Sequence, residues 1–129
     1  MRFESTQVKG KGRGKGIGIP TINLQIPPNF SLEDGIYAVR VFLNGQVFKG
    51  ALHFGPVPSF NENEKSLEVM LLDIEESKIP ETENKKIEVE VVKKIRDIEK
   101  FNSIEELVVR VEKDVEEIRN YFLCFPQWM

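Results

Sequence analysis

Residues 9–18 read Lys-Gly-Lys-Gly-Arg-Gly-Lys-Gly-Ile-Gly, and here the chain could hold an anion. Glycine lets backbone amides come close to a phosphate, and neighbouring cations neutralise its charge. Lys11, Arg13 and Lys15 alternate with Gly10, Gly12, Gly14 and Gly16, and Gly18 closes the run. No Gly-Lys-Ser/Thr occurs, which excludes a Walker P-loop, and no helix follows, which excludes a dinucleotide-binding fingerprint. By composition alone such a tract is more commonly a flexible surface loop. Thr21 and Asn23 come next, two apart on a strand-like run, so their side chains share a face. A hydroxyl and an amide oxygen together suit Mg²⁺ or a phosphate-bound water, although the same pair could cap a turn or pair across a sheet edge. Glu68 lies in Ser-Leu-Glu-Val-Met-Leu-Leu-Asp, where both alternating faces are mostly apolar. A carboxylate there must be paired, hydrogen-bonded or facing a cleft, and a cleft carboxylate is a candidate general base. A solvent-facing Glu on an edge is the equally weighted alternative. His53 is the sole histidine and reads as structural, Cys124 as a core filler, and Arg96-Asp97 as a ligand contact or, more commonly, a loop ion pair.

The elements that must position these groups are legible from periodicity. Thr21–Ile26 alternates Ile22, Leu24 and Ile26 before Pro27-Pro28 breaks it. Ile36–Leu43 and Gln46–Leu52 are strand-like and flank Asn44-Gly45, two residues that tolerate positive φ and so mark a hairpin. Gly55-Pro56-Val57-Pro58 predicts a loop, and Leu67–Ile74 a central strand. Ile87–Val92 alternates with Glu88 and Glu90 as a half-buried strand, after a polar turn over Glu75–Lys86. Ser103 with Glu106 forms a capping box, and Ile104, Leu107, Val108, Val111, Val115, Ile118 and Phe122 then recur at helical spacing. Strands followed by one helix predict α+β, or a barrel plugged by a helix.

The 129 residues form one domain by size, with 40% hydrophobic and 30% charged residues, enough for a core. A net charge of −3 argues against general nucleic-acid binding, yet Arg2, Lys9, Lys11, Arg13 and Lys15 gather at the N-terminal end, where an anion would be met. One cysteine permits no intramolecular disulfide, and neither a signal-peptide core nor a membrane-spanning run is present, so a cytoplasmic location is expected.

Taken in order, these clusters resemble the riboflavin kinase family, which includes the kinase module of bacterial bifunctional FAD synthetases. Its glycine-rich segment and Pro-Thr-Ala-Asn are matched by Gly10–Gly18 and Pro20-Thr21-Ile22-Asn23, and its Gly-x-Tyr by Gly35-Ile36-Tyr37. Its Gly-x-x-Pro-Thr-Phe is matched by Gly55 to Phe60, its Glu-x-His-x-x-Asp by Glu68 and Asp73, and its last motif by Arg96, Phe101 and Ser103. The resemblance implies a mainly β fold, a Greek-key six-stranded antiparallel β-barrel with a C-terminal amphipathic helix. It implies a riboflavin kinase acting with ATP and Mg²⁺, whose glycine segment covers the phosphates and whose Thr21 and Asn23 hold metal and phosphates. Glu68 would be the catalytic base, and Arg96 and Phe101 would line the flavin. A monomer binding neither nucleic acid nor membrane is expected, and without an adenylyltransferase domain FAD synthesis is not. The chain departs from the family at Ile22 for Ala, Met70 for His, Ser59 for Thr and Ile98 for Glu, and it lacks a Leu-Tyr-Gly after the third strand. A flavin- or nucleotide-binding barrel without turnover is the alternative reading, and a nucleic-acid-binding barrel ranks last.

Overall fold

The computed structural model describes residues 1–8, 19–56 and 65–124. Its strands are β1 (Arg2–Thr6), β2 (Thr21–Leu24), β3 (Gly35–Leu43), β4 (Gln46–Pro56), β5 (Lys65–Leu71) and β6 (Lys86–Arg96), followed by one helix, α1 (Ile104–Cys124). The six strands form one antiparallel sheet in the order β1-β6-β3-β4-β5-β2. Three sequential strands, with a fourth returning beside the first of them, make the β3-β4-β5-β6 Greek key. The sheet curls into a half-barrel whose two edge strands meet at a bridge between Gln7 and Leu24. There Val8 N donates to Asn23 O at 2.8 Å and Gln25 N to Thr6 O at 2.9 Å.

Alternation sorts the side chains into two cores. Ile22, Leu24, Val39, Val41, Leu52, Leu67, Val69, Leu71, Ile87 and Val89 fill the inside of the curl. On the outside, Ala38, Ala51 and Leu72 pack against Val111, Val115, Ile118 and Phe122 of α1. The two alanines are the smallest side chains on that face, which lets the helix lie close. The β3–β4 hairpin turns at Asn44 (φ 49°) and Gly45 (φ 79°), as the Asn-Gly pair predicts.

Several expectations are corrected. β1 carries no periodic signal in the sequence, because Phe3 is its lone apolar residue and it lies at a sheet edge, tied by Arg2–Glu88 at 2.9 Å. β4 continues through Gly55 and Pro56, which still face Ser66 and Lys65, since Pro56 stands at a non-bonded pair with Lys65 and beyond the last β3 partner, where its missing N–H costs no ladder bond. Ile104 is 75% exposed, not on the packed face, because the first turn of α1 lies ahead of Leu107, where packing begins. Cys124 is exposed, one turn-end beyond the buried Phe122, and fills no core. The helix start behaves as the capping pattern predicts on one side, with Ser103 Oγ accepting from Glu106 N at 3.2 Å. Glu106 reaches back to the amide of Asn102, at 3.0 Å, instead of that of Ser103.

Candidate active site

The register of the sheet assembles the site. Asn23 on β2 stands opposite Glu68 on β5, and Thr21 stands opposite Met70. Opposed residues in antiparallel strands point to the same face, so Thr21, Asn23, Glu68 and Met70 share the outer, helix-bearing face. The closeness of Asn23 and Glu68 follows from hydrogen-bond parity. Leu71 N donates to Pro20 O at 2.9 Å, which makes Pro20 and Leu71 a bonded pair. Counting along the strands, Thr21/Met70 and Asn23/Glu68 are then non-bonded pairs, whose Cα atoms approach to about 4.5 Å. Asn23 instead turns its backbone oxygen toward Val8. All four side chains are half-buried.

The row continues across the sheet. Glu68 faces His53 on β4, His53 faces Ile36 on β3, and Ile36 faces Arg96 on β6. Arg96 reaches this row only because β6 slips register twice against β3, between Ile36/Tyr37 and between Ala38/Val39, which re-aims its last residues. Three strand spacings separate Arg96 from Glu68, about 14 Å.

Both ends of the glycine-rich segment start from this corner. Val8 is pinned to Asn23, Pro20 O accepts from Leu71 N, and Thr21 Oγ1 donates to Ile19 O at 3.2 Å. The hydroxyl oxygen of Thr21 keeps its lone pairs for a ligand. Residues Gly10, Lys11, Gly12, Arg13, Gly14, Lys15, Gly16 and Gly18 themselves, with Ser59 and Phe60, lie outside the described residues.

At the far end Arg96 is held by Asp114 of α1, a residue only 3% exposed. Arg96 Nε donates to both carboxylate oxygens at 3.0 Å and Nη2 approaches Oδ2 at 2.8 Å. Arg110 lies 3.5 Å from the same carboxylate, and the Phe101 ring centroid is 5.8 Å from the Arg96 guanidinium carbon. Arg96 and Phe101 are thus brought together. The expected Arg96–Asp97 ion pair is not formed, because Asp97 pairs with Lys94 at 2.6 Å and offers Arg96 only its carbonyl. The hydrogen bond from Lys94 holds Asp97 below the usual carboxylate range, and bonding to Asp97 and Glu33 raises Lys94 in turn. Burial pushes the Tyr37 phenol above its ordinary value, and its hydroxyl donates to Glu33 O at 2.5 Å.

Two departures from the family change meaning in three dimensions. Ile22 is 5% exposed inside the barrel, so it points away from Thr21 and Asn23 and does not crowd them. Met70 packs against the helix-side cluster beside Thr21. Asp114 is not among the residues that the sequence motifs single out, although an acid among Val111, Val115 and Ile118 on a core face is a signal. Asp73 receives Arg119 from α1 at 2.6 Å, which gives the Asp of the family motif a bracing role here.

Among the described residues no group of three or more His, Cys, Asp or Glu could hold a metal, and no helix is long and apolar enough to cross a membrane. The riboflavin kinase family model, Flavokinase, matches residues 1–122. The bifunctional riboflavin kinase/FMN adenylyltransferase of Bacillus subtilis is 36% identical over 119 residues, covering 89% of this chain and 36% of that protein. The protein of the same name from Haemophilus influenzae is 35% identical over 116 residues, with the same coverage of 89% and 36%. The RNA-binding riboflavin kinase RibR of Bacillus subtilis is 34% identical, over 85% of this chain and 46% of that protein. The chain therefore spans between about a third and a half of the length of these relatives. A crystal structure described as a macrolide-efflux protein from Streptococcus pneumoniae superposes with a TM-score of 0.77 at 29% identity, over 92% of this chain and 38% of that one. A Greek-key half-barrel with one helix, the ordered motifs along it and a family match over nearly its whole length lead to one conclusion: the chain belongs to the riboflavin kinase family.

Proposed function

We propose that residues 1–129 act as a single riboflavin kinase module, transferring the γ-phosphoryl group of ATP to the 5′-hydroxyl of riboflavin to give FMN and ADP. The observation that carries this reading is the direct register of Asn23 with Glu68, which sets an oxygen-donor pair, Thr21 and Asn23, beside one carboxylate. In the reaction Glu68 takes the proton of the 5′-hydroxyl as its oxygen bonds to the γ-phosphorus, and the bond from that phosphorus to the β–γ bridging oxygen breaks. Positioning and charge neutralisation dominate such a transfer, so a small constellation suffices. The cations Lys11, Arg13 and Lys15, with Gly10 to Gly18, cover the phosphates.

A few neutral oxygen donors fit Mg²⁺, which keeps several waters and is bound largely through substrate phosphates. Thr21 and Asn23 would hold it, and it would supply charge neutralisation on the phosphate oxygens. Arg96 and Phe101 line the flavin ring. Their separation from Glu68 by three strands is a span that a tricyclic ring with a five-carbon side chain can bridge. The module works in the cytoplasm as a monomer, without nucleic acid.

Incubation with riboflavin and MgATP, followed by separation of the flavins, tests the reading. FMN should form, and Glu68→Gln should lower kcat by roughly 10²–10⁴ while flavin binding persists. Met70 beside Thr21 favours one competitor, a flavin-holding barrel without turnover. Quenched flavin fluorescence with no ATP consumed would select it.

A further inference from the structure

His53 stands next to Glu68 in the same cross-strand row, on the same face, and no step described above uses it. Their relation is set by the same parity that brings Asn23 close. Leu72 N donates to Lys49 O at 2.9 Å, so Lys49/Leu72 is a bonded pair, and two-residue steps make Ala51/Met70 and His53/Glu68 bonded pairs as well. The Cα atoms of such a pair stand about 5.5 Å apart, within reach of an imidazole and a glutamate. Ser66 Oγ lies 3.4 Å from His53 Nδ1. Imidazole is the side chain whose ordinary titration falls between pH 5 and 8.

The charges facing His53 can be named element by element. β5 presents Glu68, and β3 presents the uncharged Ile36. On β6, two strands away, Arg96 is neutralised by Asp114 of α1, with Arg110 beside it. Farther along the same face Lys49 lies on β4, and Arg40 on β3 is paired with Glu90 of β6 at 2.8 Å. Just ahead of β3, Asp34 lies against Gly55, two residues along β4 from His53, and is paired with Lys65 of β5 at 2.9 Å. Among the described residues Glu68 is therefore the acid that stands directly opposite His53 on a neighbouring strand.

We propose that His53 is a positioning residue for Glu68, and that its protonation draws the carboxylate away from the substrate hydroxyl. The imidazolium donates a hydrogen bond to Glu68, which then cannot accept the 5′-hydroxyl proton. The neutral ring releases it. The catalytic half of this inference rests on the kinase reading, whereas the coupling of the two side chains does not.

Because the chain has one histidine, its Cε1 proton gives a single assignable NMR signal. The titration midpoint of that signal in the intact protein should be higher than in Glu68→Gln by about half a unit or more. Glu90→Gln, which removes a charge already paired elsewhere on the sheet, should leave the midpoint in place. An equal midpoint in wild type and Glu68→Gln, or an equal shift in Glu90→Gln, overturns the proposal. In FMN formation, each variant scaled to its own plateau, the acidic limb of kcat should move to lower pH in His53→Asn and in His53→Gln. An unmoved limb in both overturns it as well. If wild type forms no FMN, the kinase reading fails on its own, and the NMR titration still decides whether the pair is coupled.

Discussion

Asn23 and Glu68 approach each other because β2 spends its even-numbered hydrogen-bonding groups on β5 and its odd-numbered ones on the β1 side. Side chains at a non-bonded pair come closer than at a bonded one, so a shift of one residue would both separate the two and turn them into the core. Asn23→Ala leaves every backbone bond in place. It should strongly reduce Mg²⁺-dependent FMN formation while the melting temperature stays near that of wild type, and a collapse of stability would instead mark Asn23 as structural. Tyr37 gives a second expectation at this scale. Its phenol is raised above 10.0 chiefly by burial, so the stability it contributes is complete below pH 10 and is lost as pH rises through the elevated folded value. Tyr37→Phe removes the bond to Glu33 O and should cost about 1 kcal/mol near neutrality. Thermal melts at pH 7, 9 and 10.5 should show the gap between wild type and variant narrowing above pH 10.

The element that matters most outside the sheet is α1, which is held by two polar contacts within the stretch packed from Leu107 to Phe122. Asp114 grips Arg96 at the end of β6, and Arg119 grips Asp73 after β5. Between them Val115 and Ile118 rest on Ala38 and Ala51. Phe122 lies under Arg40, 5.1 Å from ring centroid to guanidinium carbon. Removing one partner of a buried pair strands the other charge. Asp114→Ala should therefore destabilise by about 3–5 kcal/mol in urea melts, whereas replacing both Arg96 and Asp114 by apolar residues should cost much less. Ile104→Ala, on the exposed first turn, should stay within about 0.5 kcal/mol.

At the scale of the whole molecule, the curl closes at one narrow seam. Two backbone bonds, from Val8 to Asn23 and from Gln25 to Thr6, join strands that begin fifteen or more residues apart in the chain. The seam also fixes where the glycine-rich segment leaves and re-enters the sheet, directly beside Asn23. Val8→Pro deletes one of the two donors and should cost about 1 kcal/mol. Amide exchange at Gln25 should quicken in that variant, while Val89 and Val41, buried at the centre of the sheet, keep their protection.

Local rules acting over a few residues made much of this readable from the chain. Period-two alternation placed Ile22, Leu24, Val69 and Leu71 in a core, Asn44-Gly45 marked a turn, and the 3.6-residue stripe marked α1. The ordered motifs pointed to the family. What local rules leave open is which strand lies beside which and in what register, since those depend on contacts between residues far apart in sequence. Hence β1, with one apolar residue, became a strand only because β6 offered it a partner. Arg96, adjacent to Asp97, took its carboxylate from α1, eighteen residues on. His53 and Glu68 became neighbours through the β4–β5 register, because pairing across strands brings together groups that no spacing along the chain connects.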